Sequence, residues 1–180
     1  MTKNKKGFTI IEVVLVLAIA GLIFLMVFIA LPALQRSQRN TRRRQDMARI
    51  LSAFTEFASN NNGSMPTSDT QLKSFVEKYA SGVTGCTATV SSSKATAANC
   101  GDQFTDPDGS SYSLAYKGDA VKDATTFTNT ETFASVGHEI RYYSKASCGD
   151  ENTQKEGNGS RDIAIYYLLE GGAIYCGDNH

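Results

Sequence analysis

Few side chains in this sequence have the type and spacing to do chemistry, and one of them stands where a charge is least expected. Glu12 separates the segment Lys5-Lys6-Gly7-Phe8-Thr9-Ile10-Ile11 from an unbroken apolar run, Val13 to Leu31. A carboxylate at the edge of such a run costs on the order of 2–3 kcal/mol when it cannot reach water, which makes an intramembrane acid a functional group by default. The other reading is that Glu12 lies one turn inside the run and snorkels to the headgroups. Cys86, Cys100, Cys148 and Cys176 allow two disulfides, a zinc site or inert thiols. With no Cys-x-x-Cys pair and long gaps, zinc is disfavoured. Asp106-Pro107-Asp108-Gly109 matches the opening of a calcium loop but lacks the remainder with its closing Glu, so turn chemistry is expected there and no metal is assigned. His138 and His180 have no nucleophile motif beside them, and no Gly-rich phosphate loop occurs. These residues point away from an enzyme and call for no cofactor.

The element that carries Glu12 is a helix. The nineteen residues from Val13 to Leu31 hold no charge, enough to cross a bilayer. A cleaved secretory signal has an apolar core of only about 7–15 residues and a small-residue cleavage site. Here the run is longer, and helix-forming sequence continues from Gln35. Met47, Ile50, Leu51, Phe54, Phe57 and Ala58 then follow helical spacing and predict one apolar stripe, with the neighbouring arginines pointing elsewhere. One helix from about Phe8 to about Ser59 would be about 80 Å long. Pro32 removes a backbone hydrogen bond, and Gly21 is a second weak point, so a kink or local loosening is expected at these two positions.

Lys-x-Gly-Phe-Thr-x-x-Glu ahead of a long apolar helix resembles the class III signal of type IV pilins and the related pseudopilins, matched at Gly7, Phe8, Thr9 and Glu12. The resemblance implies cleavage between Gly7 and Phe8 by a prepilin peptidase on the cytoplasmic face and N-methylation of Phe8. It also implies a helix that first anchors the subunit and later packs in a filament core. A residue before the scissile bond in a narrow protease site is best without a side chain. Cutting there creates a positive amine on Phe8, and Glu12 follows one helical turn later. In a filament core Glu12 needs a cation, and the Phe8 amine of an adjoining subunit is the candidate.

Charge is distributed unevenly. The chain balances 18 basic against 18 acidic residues, yet Arg36, Arg39, Arg42, Arg43, Arg44 and Arg49 crowd the stretch from Gln35 to Arg49 against Asp46 alone. Residues 50–180 carry sixteen acidic and nine basic side chains. The positive-inside rule would place this basic neck in the cytoplasm. The cleavage motif, processed with its leader in the cytoplasm, and four cysteines suited to an oxidising compartment outweigh it. Three roles stand open for the arginines: a solvated face, contact with anionic headgroups, and pairing with the acidic head of a neighbouring subunit. Nucleic-acid binding has weak support, because no aromatic residues interleave with them.

Beyond Asn60-Asn61-Asn62-Gly63, which should end the stem, Ser68-x-x-Gln71 reads as a capping box for a second helix ending at Gly82. Residues 83–101 read as loop or weak edge strand. Ser111 to Tyr116, Glu139 to Ser144 and Ile163 to Leu169 read as strands, and Glu170-Gly171-Gly172 as the turn of a hairpin into Ala173 to Cys176. Three cysteine pairings can be drawn. Cys86–Cys100 would close the small loop, and Cys148–Cys176 would tie the tail to the sheet in a way similar to the C-terminal disulfide loop of type IV pilins. The expected architecture is therefore α+β, a type IV pilin fold with its long N-terminal helix, half transmembrane, on an antiparallel sheet of three or four strands. It divides into a leader (1–7), an apolar helix (8–34), its amphipathic continuation (35–59) and a head (60–180). The implied role is that of a major subunit of a surface filament for adhesion, twitching motility or DNA uptake. Its partners would be further copies of itself, the prepilin peptidase, the assembly machinery and, before assembly, the cytoplasmic membrane, with the head outside the cytoplasm. The alternatives are a type II secretion pseudopilin or minor pilin, and a membrane-anchored binding domain unrelated to pili.

Overall fold

A computed structural model describes residues 7–82, 85–98, 100–101, 104–120, 138–149 and 153–179. It divides into two compact units, Met1–Gln38 and Arg39–His180. The first helix, α1, runs over Ile10–Asn60 with Pro32 inside it. In the first unit its apolar side chains are exposed, and the helix is long and apolar enough to cross a membrane.

In the second unit α1 buries Met47, Ile50, Ala53, Phe54, Phe57 and Ala58, the stripe expected from the spacing, with Leu51 half-buried at its edge. The helix stops where the asparagine run predicts. Asn62 and Gly63 adopt left-handed φ values of 54° and 80°, and the Gly63 N–H donates to the Ala58 carbonyl at 2.7 Å. A side chain at Gly63 would be strained and would also run into Arg161 Nε, 2.6 Å from where its Cβ would lie.

Helix α2, Asp69–Phe75, begins with the capping box formed by Ser68 and Gln71 and continues into a π-helical turn, Val76–Ala80. Among the described residues eight strands follow: β1 Thr87–Ser91, β2 Lys94–Ala98, β3 Ser113–Asp119, β4 Glu139–Ser144, β5 Ala146–Cys148, β6 Gln154–Glu156, β7 Ile163–Leu168 and β8 Ile174–Asp178. Six of them form one sheet in the order β1-β2-β3-β4-β7-β8, and β5 pairs with β6 separately. The chain is α+β, a long helix packed on an antiparallel-rich sheet.

Two details differ from the expectation. The sheet has six strands, not three or four, because the 83–101 region contributes the β1–β2 hairpin. Its inward positions, Ala88, Ala95 and Ala97, are buried but small, so they lack the β-branched and aromatic signature that marks a strand. The sheet is also not wholly antiparallel, since β3 and β4 run parallel. The long connection between them gives the chain room to return in the same direction; most of it lies outside the described residues.

The core lies between α1, α2 and the sheet. Phe54 stacks on Phe75 at 4.1 Å between ring centroids and meets Tyr142 of β4 at 4.8 Å. Phe57 packs edge-on against Phe75 and Tyr79. The alternation of β4 and β7 sends Ile140, Tyr142, Ile163, Ile165 and Tyr167 into the same cluster.

Candidate functional site

The first group of residues surrounds the start of α1. Gly7 and Phe8 precede the helix, and Phe8 is 89% exposed. Thr9 caps it. The Glu12 carboxylate accepts from the Thr9 N–H at 2.9 Å and the Thr9 hydroxyl at 2.7 Å, while the Glu12 N–H reaches back to Thr9 Oγ1 at 3.4 Å. Thr-x-x-Glu is therefore a capping box, and it sets the first helical turn immediately after the Gly7–Phe8 bond. The sequence reading singled out Glu12 for its charge but gave Thr9 no task. The pattern was visible, a Thr three residues before a Glu ahead of an apolar run. Around Gly7 a Cβ would meet nothing within 4 Å in the chain itself, so no contact within the described chain demands glycine there. Gly21 likewise faces open space, and Gly21 and Pro32 both lie within the single element α1.

The second group lies wholly within the second unit. Arg43 projects from α1 into the interior and is 4% exposed, which corrects the expectation that the neck arginines point away from the buried stripe. Its Nε and Nη2 donate to the two oxygens of Asp106 at 2.7 Å each, and Nη1 lies 3.0 Å from Glu170. Burial of a guanidinium is tolerable only with such a planar, two-pronged partner. Asp106 is equally enclosed, at 2% exposure, and takes two further donors, the Tyr167 hydroxyl at 2.9 Å and the Asp108 N–H at 3.0 Å. Burial would raise its carboxyl, but Arg43, the Asp108 N–H and Tyr167 overcome that and hold it at about 2. Burial likewise opposes the charge on Arg43, and the Asp106 carboxylate more than restores it, leaving the guanidinium pushed up.

One turn earlier, Arg39 forms a two-pronged pair with Glu170 at 2.6 and 2.7 Å. The Asn40 side chain exchanges hydrogen bonds with the Glu170 main chain, donating to its carbonyl and accepting from its N–H at 3.0 Å each. The β7–β8 turn is thus pinned to the helix. The hydrogen bonds from Arg39 lower the Glu170 carboxyl, and the charges of Arg43 and Arg39 add to that effect. The basic cluster is therefore not uniform, and Arg49, half-buried, faces Asp46 of the same helix. Arg39 and Arg43 are engaged by the head of their own chain, whereas Arg36, Arg42 and Arg44 are exposed.

Asp106 to Gly109 does form a turn, closed by Gly109 N–H to Asp106 O at 2.8 Å and Asp106 N–H to Ser110 O at 2.7 Å. Cys86 is bonded to Cys100 and Cys148 to Cys176. The first closes the β1–β2 hairpin at its open end, and the second ties β8 to the short β5–β6 hairpin.

A family model for the prokaryotic N-terminal methylation motif matches residues 2–28. No curated protein matches the chain, and no solved structure does. The segment that Thr9 and Glu12 cap is thus a class III signal, and the motif with its apolar helix supports membrane anchoring.

Proposed function

We propose that this chain, which carries the N-terminal methylation motif, is a structural subunit of a type IV pilus filament. On this reading it is cut between Gly7 and Phe8, methylated on the new Phe8 amine, held in the cytoplasmic membrane by the apolar part of α1 and then polymerised with its head outside the cytoplasm. The observation that carries the reading is the coincidence of that motif, over residues 2–28, with a helix whose apolar side chains are exposed up to Leu34. An exposed apolar stretch of this length needs lipid or other helices around it. In a filament, the same surface that lipid covers is covered by neighbouring copies.

Within this scheme Glu12 changes partner. In the single chain its carboxylate is held by Thr9 of the same helix. In the filament core it pairs with the methylated Phe8 amine of an adjoining subunit, and removing one side of such a buried pair costs about 3–5 kcal/mol. Glu12→Ala is expected to stay in the membrane fraction and to drop out of filaments; normal assembly of this variant would contradict the role given to Glu12.

Mass analysis of the N-terminus of mature protein tests the class. A chain beginning at methylated Phe8 is expected, and recovery with Met1 to Gly7 attached would overturn the proposal in favour of a membrane-anchored binding domain. A second reading is a type II secretion pseudopilin or minor pilin, since the pattern at Gly7, Phe8, Thr9 and Glu12 resembles the signal of those subunits equally. Electron microscopy of the same preparation separates the two, with abundant long filaments marking the major pilin.

A further inference from the structure

The sequence contains the triplet Asn-Gly-Ser twice, at Asn62-Gly63-Ser64 and at Asn158-Gly159-Ser160. An asparagine followed two places later by a serine hydroxyl is the pattern at which an oligosaccharide can be joined to the side-chain amide, provided the segment is on the surface of a chain outside the cytoplasm. The match alone is weak, since so short a pattern recurs by chance. The structure separates the two copies.

Asn62-Gly63-Ser64 is the end of α1. Gly63 is buried, its N–H donates to the Ala58 carbonyl, and the Ser64 N–H donates to the Asn61 carbonyl at 3.0 Å. Asn62 holds one of the left-handed φ values that stop the helix, and Arg161 lies where a Gly63 side chain would start. A transferase would have to undo the helix stop to draw this asparagine out. Here the turn alone explains the pattern.

Asn158-Gly159-Ser160 lies on the connection from β6 to β7, and all three residues are exposed. Among the described residues no hydrogen bond engages the Asn158 carboxamide or the Ser160 hydroxyl. Two bonds close the turn, Gly159 N–H to Asp162 Oδ2 at 2.7 Å and Asp162 N–H to the Gly159 carbonyl at 3.2 Å. Gly157 has a packing reason to be glycine, since a Cβ there would lie 2.6 Å from that of Asp162. Gly159 has none: a Cβ would make ordinary contact with Asp162 at 3.6 Å, and its φ is not left-handed. Glu156, also exposed, stands two residues before Asn158 as Ser160 stands two after. Drawn out as an extended segment, these three side chains point to one side and the two glycines to the other. An enzyme groove would then meet a carboxylate for a cation, the acceptor amide and a hydroxyl to fix register, with no side chain opposing entry.

We propose that Asn158 is an N-glycosylation site whose donor is an oligosaccharide carried on a polyprenyl diphosphate. The Asn158 Nδ2 attacks C1 of the first sugar. The Nδ2–C1 bond forms, the C1–O bond to the diphosphate breaks, the diphosphate leaves with the electron pair, and Nδ2 gives one proton to a base of the transferase. Ser160 borders an open cavity of about 400 Å³ that Ser64, Thr67, Asp119 and Lys145 also line, polar groups suited to the hydroxyls of a sugar. The inference rests on the head lying outside the cytoplasm, as the filament proposal has it, and on no other part of that proposal.

The test is mass spectrometry of the full chain purified from its own cells and digested with trypsin. Cleavage after Lys155 and Arg161 isolates residues 156–161, in which Asn158 is the only asparagine, whereas Asn62 falls within residues 50–73. The expected result is a 156–161 peptide that carries an added glycan mass, releases sugar ions on fragmentation and retains the bond to Asn158. Asn158→Gln should lose that mass, Glu156→Gln should lower its occupancy several-fold, and Asn62→Gln should leave it unchanged. A bare 156–161 peptide, a glycan attached through Ser160 Oγ, or a glycan on residues 50–73 instead would overturn the proposal. The N-terminal peptide of the same digest reads the filament proposal separately. A glycosylated Asn158 in a chain that keeps Met1 upholds this site and sinks that reading; a bare Asn158 in a chain beginning at methylated Phe8 does the reverse.

Discussion

Arg43 is the side chain whose loss should be felt most. It is buried, it offers Asp106 both prongs of its guanidinium, and Asp106 is itself enclosed. Arg43→Met would leave that carboxylate buried without its counter-ion and is expected to destabilise the head by about 3–5 kcal/mol in urea titration. Asp106 gives a prediction in pH. Its carboxyl is held at about 2, below its ordinary value of 3.8. A depressed folded-state value means that the stabilisation is fully present above the unfolded value and is lost as pH falls through the window from about 4 to about 2. Acid titration followed by circular dichroism should show the parent chain losing stability in that window, and Asp106→Asn, weaker at neutral pH, should show a flatter profile. What the sequence could reveal of these residues follows from distance along the chain. Gly7, Phe8 and Glu12 were legible because their neighbours are local. Arg43 and Asp106 lie sixty-three residues apart with nothing local to join them, so Arg43 looked like one member of a charged run. The Thr9–Glu12 capping box is just as local, a Thr three residues before a Glu.

The elements were more legible than the contacts between them. The stripe on the second half of α1, the capping box of α2 and the β7–β8 hairpin all follow from short-range pattern, and each is present. Ser68→Ala should remove the acceptor for the Gln71 N–H and lower stability by about 1 kcal/mol, readable by chemical denaturation. Phe54 is different in kind, since it joins α1 to both α2 and β4 through its ring contacts. Phe54→Ala should cost about 3–5 kcal/mol and leave a cavity beside Phe75 and Tyr142, measured by chemical denaturation. Between loop and weak edge strand, the two readings open for residues 83–101, the edge strand is present, but its pairing as a β1–β2 hairpin was not legible because strand patterns are usually recognised by bulk. Its buried positions are alanines, too small to announce a strand. The parallel pairing of β3 with β4 was hidden for another reason. Direction depends on how a connection returns, and no strand carries that information in its own residues.

At the scale of the whole molecule, the cysteine bridges and the charge asymmetry bear on how the head holds together. Cys148 and Cys176 are bonded across a sequence separation of 28. Replacing both with serine should lower stability by about 2–4 kcal/mol. The measurement is proteolysis of the parent and variant under non-reducing conditions, where the variant should be cut faster near β8. The basic neck that the topology rule would count as a uniform cytoplasmic signal is not uniform once folded. Two of its six arginines are matched by acids of the head, Arg39 by Glu170 and Arg43 by Asp106. The composition gave the totals, but only the fold shows how they cancel.

The bond pair between the Asn40 side chain and the Glu170 main chain has a consequence in time. A ribosome delivers Asn40 130 residues before Glu170, and Arg39 131 residues before it. Until the turn at 170 has emerged, the neck is bare on that side. A chain broken off before it could bury its phenylalanines and still show an open neck to a protease.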